Sequence, residues 1–455
     1  MKKIIKYTIF LLFLLICILL SFYYINKNNE QVSNTIKKIL PSDLKIYVRQ
    51  IINTLNITEL KKNNDFLSTR VAFLQNKIIE LSQQKKIVNN EIFPQTQFLE
   101  LEYHEVSLDN FILNNIDIKN KLKSYETKRD GNNVYSFYLE SLDDKIIILD
   151  SYGNSYYSNF DHPNEFNYIE NNLPDQIHVT DTLIINDNLF IAFSKKDEHC
   201  DNFEIYYSVL KYNRLEFKKL LDFFNPNSKL TCGMPHGGRM EYDINNNDLY
   251  FSHSEISDNF NQNKNDYTYK YAKITKINLD TKNVETISTG HRNPQGLLIT
   301  SQNYILSTEH GPRGGDEINN IVINKNYGWP IASYGEPYGE GYKESEEYTF
   351  KKNHNENSYI EPIFAFVPSI GISQIIELNN DFSKKWRNNF ILSSLRSQSL
   401  YRIKFDKKFN KILYYEKINI GKRIRDLNYN VKNKTILLAL EKENGFIGFI
   451  KNKNN

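Results

Sequence analysis

The run Leu249-Tyr250-Phe251-Ser252-His253 stands directly behind a turn of Asn245-Asn246-Asn247-Asp248, and this pairing decides the fold. A turn rich in Asn, Asp or Gly followed by four to six mostly apolar residues is the signature of a short, well-buried β-strand. The same pairing recurs at Ile146–Asp150, Leu189–Phe193, Tyr304–Thr308, Phe390–Ser394 and Thr435–Leu440. Helical periodicity is absent from about residue 125 onward. The starts lie 43, 60, 55, 86 and 45 residues apart. Their mean of about 58 is longer than a blade of the shortest propeller repeats but suits four strands with long loops. Six recurrences predict an all-β, six-bladed β-propeller, since a sandwich rarely needs so many strands.

The 455 residues allow one to three domains and a substantial core. Lys and Arg total 57 against 54 Asp and Glu, a net charge of +3, so no electrostatic grip on nucleic acid is expected. A content of 40% hydrophobic and 13% aromatic residues excludes a mainly disordered chain. Three cysteines, at 17, 200 and 232, exclude a disulfide-dense scaffold and a four-thiolate zinc site.

Lys2, Lys3 and Lys6 precede an uncharged apolar stretch from Thr8 to Ile25. Eighteen residues at 1.5 Å each reach about 27 Å, close to the thickness of a bilayer's hydrocarbon. Phe22, Tyr23 and Tyr24 form an interfacial flank, and the leading lysines favour a cytoplasmic N-terminus. Residues 1–25 are therefore read as a signal-anchor transmembrane segment, with the remainder periplasmic or extracellular. A cleaved signal peptide is the alternative. In 26–100, Leu67, Val71, Leu74, Ile78 and Leu81 follow helical spacing and suggest a helical stalk. The propeller domain is assigned to 101–455. Export leaves Cys200 and Cys232 as the one pair available for a disulfide.

The chemistry concentrates in 290–335, which holds seven of the chain's 18 glycines. Glycine allows close backbone approach, as a loop wrapped around a ligand needs. Three stretches stand out: Gly290-His291-Arg292-Asn293-Pro294-Gln295-Gly296, then Glu309-His310-Gly311-Pro312-Arg313-Gly314-Gly315-Asp316-Glu317-Ile318-Asn319, then Asn326-Tyr327-Gly328-Trp329-Pro330. Arg292, Arg313, Arg423 and Arg425 offer planar forks to carboxylates, which lysine cannot match.

Those three stretches, with His236-Gly237-Gly238-Arg239 and Gly421-Lys422-Arg423-Ile424-Arg425-Asp426, resemble the glucose/sorbosone dehydrogenase family. Its members are soluble aldose sugar dehydrogenases that use pyrroloquinoline quinone (PQQ). The likeness is good over about 230–445 and loose over 125–230. It implies a six-bladed propeller, in agreement with the strand pattern. It further implies that the tricarboxylate PQQ is bound by Arg292, Asn293, Arg423 and Arg425, with Arg396 where the family has Lys. Phe366 is similar in position to an aromatic that stacks on the quinone. The resemblance gives Gly311 and Pro312 as carbonyl ligands of Ca²⁺, a hard cation suited to oxygen. The family's catalytic base is His in His-x-Gly-Gly-Arg. That position is Pro235 here, and His236 stands one residue later, with Glu255 at the place of an acidic partner.

The implied function is PQQ- and Ca²⁺-dependent oxidation of the anomeric hydroxyl of an aldose sugar, with electrons passing to an acceptor the sequence does not specify. The alternative is a non-enzymatic propeller that binds a carbohydrate or protein partner at the cell exterior.

Overall fold

The computed structural model describes residues 111–117, 127–129, 132–134, 136–196, 201–222, 237–255, 272–337, 350–378, 381–441 and 445–452. Their strands form six sheets of four or five strands and one separate two-stranded hairpin. The inner strands of blades 1 to 6 are Phe137–Leu142, Ile177–Ile185, Gly237–Asp243, Pro294–Ile299, Ile372–Glu377 and Arg423–Asn430. Each touches the next in order, and the sixth touches the first, which closes a six-bladed propeller.

All six recurring stretches of the sequence are second strands of blades: Lys145–Asp150, Asn188–Lys196, Asp248–His253, Ile305–Glu309, Phe390–Ser394 and Thr435–Glu441. The turn before each contains one residue of left-handed backbone: Asp143, Asn186, Asn247, Asn303, Asn388 and Lys434. Asn and Asp tolerate that conformation best among residues with side chains, which explains the composition of the turns. The strands read as continuous apolar runs because both faces are buried. In Thr435–Glu441, Ile436, Leu438 and Leu440 pack toward blade 5, while Leu437 and Ala439 pack toward blade 1. In Lys145–Asp150, Ile146 and Ile148 face blade 6, and Ile147 and Leu149 face blade 2. Six such hydrophobic clusters, one per blade interface, make up the core.

The first described strand, at Phe111, lies within the domain assigned to 101–455 and ahead of residue 125, where the strand-rich composition sets in. Phe111–Asp117 pairs antiparallel with Phe446–Asn452 and supplies the outermost strand of blade 6. A segment from the N-terminal side thus locks the last blade. An outermost strand needs little apolar content, and Asn114 and Asn115 break this one's apolar run. The predicted membrane segment 1–25, the stalk 26–100 and all three cysteines lie outside the described residues. Among the described residues no helix is long and apolar enough to cross a membrane.

The inner ring is held by one buried arginine. Arg239 of blade 3 donates from Nη1 to Asp181 Oδ1 of blade 2 and to Asp426 Oδ1 of blade 6, each at 2.7 Å. Its Nε donates to the Gln295 carbonyl of blade 4 at 2.7 Å, and Nη2 to the Arg425 carbonyl at 2.8 Å. Asp426 Oδ2 accepts from Leu139 N of blade 1 at 2.9 Å, and the Arg425 carbonyl accepts from Ser373 Oγ of blade 5 at 2.6 Å. All six blades meet within two bonds of one guanidinium.

Removing the cation from a buried ion pair leaves uncompensated carboxylates and costs about 3–5 kcal/mol. Arg239→Met should therefore lower stability by about that amount in urea unfolding, with partial recovery when Asp181 and Asp426 are also made Asn. A second expectation concerns Glu241, next in line on the same strand. Burial raises its carboxyl to about 7, with the charge of Asp181 adding and hydrogen bonds from the Tyr242 and Ile299 backbone opposing. A carboxyl raised above its ordinary 4.5 contributes fully below that pH and loses its contribution as pH climbs toward 7. Glu241→Gln should flatten the fall in thermal midpoint between about pH 5 and 8.

Candidate functional site at one end of the propeller

In an antiparallel four-stranded blade, three features open at the same end: the loop entering the first strand, the loop joining the second and third, and the end of the fourth. Arg292 and Asn293 enter blade 4, and His310–Gly315 joins its second and third strands. Glu255 follows the second strand of blade 3, Arg396 lies between the second and third strands of blade 5, and Arg423 and Arg425 begin blade 6. Residues far apart in sequence therefore converge on one end of the ring.

Arg423 and Arg425 alternate with Ile424, which is buried in the core between blades 5 and 6. Both arginines bind Glu441, at the end of the adjacent strand: Arg425 Nε donates to Oε1 at 2.6 Å and Arg423 Nε to Oε2 at 3.1 Å. Ser136 Oγ donates to Glu441 Oε1 at 2.8 Å. Burial works against the charge of Glu441, but Arg425 and Arg423 outweigh it and hold the carboxyl down at about 2. Arg425 also donates from Nη1 to Gln295 Oε1 at 3.3 Å, and Gln295 Nε2 donates to Asn293 Oδ1 at 2.8 Å. Asn293 and Arg425 are thus joined through one amide.

The glycine loop is fixed from within. Asp316 accepts from Gly311 N at 3.1 Å through Oδ1, and from Gly371 N at 2.7 Å and Ile372 N at 3.0 Å through Oδ2. A Cβ on Gly311 would lie 2.0 Å from the Gly315 carbonyl oxygen, so any side chain there breaks the turn. Arg292 Nη1 donates to the carbonyls of His310 and Gly311, each at 3.1 Å, and Arg292 N donates to Glu309 Oε1. Glu309 Oε2 also meets His291 Nδ1 at 3.0 Å. His291 is fully buried, bonded to Ser288 Oγ at 2.8 Å and stacked on Tyr327. His310 Nε2 is buried without a hydrogen bond of normal geometry. Burial lowers His310 to about 4, with Arg425 and Arg292 adding and Asp316 opposing, so the imidazole is neutral at neutral pH.

Glu255 and Arg292 meet at Trp329. The connection between the third and fourth strands of blade 4 crosses to blade 3, where Lys325–Asn326 adds a parallel fifth strand. That crossing delivers Trp329, whose Nε1 donates to Glu255 Oε2 at 2.5 Å. Its ring lies 5.3 Å from the Arg292 guanidinium carbon, and Glu255 N donates to the Arg292 carbonyl at 2.8 Å.

The structure thus brings together Arg292, Asn293, Glu255, Gly311, Arg423 and Arg425. Pro312 shares the loop, its carbonyl accepting from Ser369 Oγ at 3.3 Å. Arg396 is exposed on its hairpin, tied by its backbone N to the Ile370 carbonyl. Phe366 is placed otherwise: its ring is 6% exposed and packs edge-on against Phe364 and Tyr401 in the core between blades 4 and 5. Its contact with the glycine loop is through its carbonyl, which accepts from Gly315 N at 2.9 Å. His236 lies outside the described residues.

Sequence reasoning missed Glu441, Gln295, Glu309, Asp316 and Trp329 as organising residues. Four of them stand inside the quoted motifs, where a carboxylate, amide or indole a few residues from an Arg was a usable signal. Glu441 follows a plain apolar strand and carried none.

Comparison with known proteins sets these residues in context. The family model described as Glucose / Sorbosone dehydrogenase matches residues 176–448. The chain is 29% identical over 210 residues to the aldose sugar dehydrogenase YliI of Escherichia coli, covering 42% of this chain and 55% of that protein. Over 94 residues it is 38% identical to quinoprotein glucose dehydrogenase B of Acinetobacter calcoaceticus, covering 18% of this chain and 19% of that protein. The chain thus spans about half or less of the length of these relatives. The apo-form crystal structure of the soluble aldose sugar dehydrogenase from Escherichia coli superposes with a TM-score of 0.60 at 19% identity, covering 75% of this chain and 100% of that one, a likeness of fold. With the family model covering more than half its length, the chain belongs to the glucose / sorbosone dehydrogenase family.

Proposed function

We propose that this protein oxidises the anomeric hydroxyl of an aldose sugar, with PQQ and Ca²⁺ bound at the arginine-lined end of the propeller. The observation that carries the reading is the pair Arg423 and Arg425, both anchored on the buried carboxylate of Glu441, on the same end as Arg292. Two arginines on one carboxylate leave a net positive charge. Glu441 accepts at Nε of each, so the terminal nitrogens, one of which on Arg425 also donates to Gln295, are the part of each fork that a ligand carboxylate would meet. Arg396, exposed on the neighbouring blade, and Asn293 complete a set suited to a flat tricarboxylate.

The metal ligands fit on chemical grounds. The Gly311 and Pro312 carbonyls each accept one hydrogen bond, from Arg292 and Ser369, and each oxygen has a second lone pair. Among the described residues no cluster of three or more His, Cys, Asp or Glu could hold a metal ion. At this loop the chain offers carbonyl oxygen, and the other ligands would come from the cofactor and water. When bound, the quinone supplies the hydride acceptor and Ca²⁺ the positive charge that polarises it.

The chain's own residues orient the sugar and take its hydroxyl proton. His236 immediately precedes Gly237, and Gly237 pairs with His253, two residues before Glu255. We assign proton acceptance to His236, with Glu255 orienting it or acting in its place, because an imidazole of ordinary pKa suits that task at neutral pH. His310 is too weak a base for it. The basic-flanked apolar stretch at 8–25 supports a membrane anchor, with the propeller outside the cytoplasm, and Cys200 and Cys232 are assigned as a disulfide there.

Purified apoprotein given PQQ and Ca²⁺ should bleach the quinone absorbance on addition of an aldose. Sugar binding without bleaching would favour a binding module instead. Arg425→Ala should weaken PQQ binding by about 2 kcal/mol, roughly thirtyfold, in a direct titration. Unchanged affinity would remove Arg425 from the site. His236→Ala should lower kcat at least about a hundredfold with PQQ still bound.

A further inference from the structure

We propose that Trp329 is the positioning residue that holds Glu255 in register with the cofactor arginine Arg292, an inference that rests on the site reading above. The indole uses two different parts of itself. Its edge donates Nε1–H to Glu255 Oε2 at 2.5 Å, and its face lies against the guanidinium of Arg292, 5.3 Å from ring centre to guanidinium carbon. One rigid plane therefore links the residue on the proton-accepting side to a residue on the quinone side.

The indole is itself held by contacts that do not involve Glu255. Trp329 N donates to the Gly290 carbonyl at 3.0 Å, and the preceding Tyr327 N donates to the Thr289 carbonyl at 2.9 Å. Gly328 N donates to Asn326 Oδ1 at 2.8 Å, and the Phe350 ring packs 5.3 Å from the indole. Gly290 has φ +76°, and a Cβ there would lie 2.0 Å from Asn326 Oδ1, so the residue two before Arg292 is shaped to receive the Trp329 turn. Trp329 is 6% exposed. A donor fixed in this way selects one orientation of a carboxylate and favours its charged form. A carboxylate that orients or replaces a base needs both properties across the working pH range.

Two substitutions separate the edge from the face. Trp329→Phe keeps an aromatic face for Arg292 and removes the N–H; Trp329→Leu removes both. Cofactor-free protein labelled with ¹⁵N at the indole nitrogens gives two indole resonances, from Trp329 and Trp386, the only tryptophans in the chain. The resonance lost in Trp329→Phe should be strongly deshielded, should titrate with acid, and should lose that titration in Glu255→Gln. In the protein loaded with PQQ and Ca²⁺, Trp329→Phe should lower kcat about tenfold or more with little change in sugar KM. It should also move the acid limb of the pH–rate profile upward and leave PQQ affinity unchanged, whereas Trp329→Leu should weaken PQQ as well.

An indole resonance indifferent to Glu255→Gln overturns the proposal, as does a Trp329→Phe enzyme with a wild-type profile. If Trp329→Phe does not fold, the resonance that Glu255→Gln shifts in the otherwise wild-type protein decides the matter. If wild-type protein never reduces PQQ, the functional reading fails while the indole titration still decides whether Trp329 holds Glu255.

Discussion

One buried guanidinium determines how the inner ring of this propeller can close. A propeller's blades pack through apolar faces, whose attraction is non-directional, so directional hydrogen bonds help to set their rotation about the axis. Arg239 supplies it through hydrogen bonds that reach blades 2, 4 and 6 directly, and blades 1 and 5 through Asp426 and the Arg425 carbonyl. Two of the backbone carbonyls it holds belong to Gln295 and Arg425. The side chains of these same residues point into the candidate site, where they bond each other. The charge that organises the ring therefore also fixes the place where the arginines of the candidate site begin.

The device that makes this compatible with a sheet is the β-bulge. Five of the six inner strands lose register at the same level: between Val179 and Asp181, Gly237 and Met240, Pro294 and Gly296, Ile372 and Ile375, and Ile424 and Asp426. The unpaired residues there include Arg239, Gln295, Ser373 and Arg425, the side chains that build the hub and the site. A bulge redirects a side chain that strict alternation would send into an apolar blade interface. Blade 1 pairs without interruption through Phe137–Leu142 and contributes only a backbone N–H and the Tyr138 ring to the hub.

This explains what was legible in the sequence and what was not. Second strands are buried on both faces and preceded by turns that need left-handed residues, so all six announced themselves by composition. Inner strands mix glycine, charge and bulges, as in Gly237-Gly238-Arg239, and carry no period to recognise. The closing strand Phe111–Asp117 lies at a blade edge, where burial demands little apolar content. In the site, the arginines were conspicuous because the chain uses so few, and the glycine loop because its glycines cluster. Phe366 was assigned by position alone, and position along a strand does not say which side of the blade a ring faces; here it faces the core. Glu441 was invisible because its role depends on pairing with a strand that carries two arginines.

That last residue shows how the site reconciles stability with binding. Arg423 and Arg425 project from the same strand, two residues apart, and without a counter-ion their repulsion in a partly dehydrated setting would be costly. A fully neutralising pair of carboxylates would remove the repulsion and the affinity for an anion together. Glu441, held near a pKa of 2 and steadied by Ser136, neutralises one charge and leaves one. Its deep burial fixes its place, and it engages each fork at Nε rather than at the terminal nitrogens. The arrangement thus keeps a net positive charge at this end of the ring while pairing enough of it for the strand to fold.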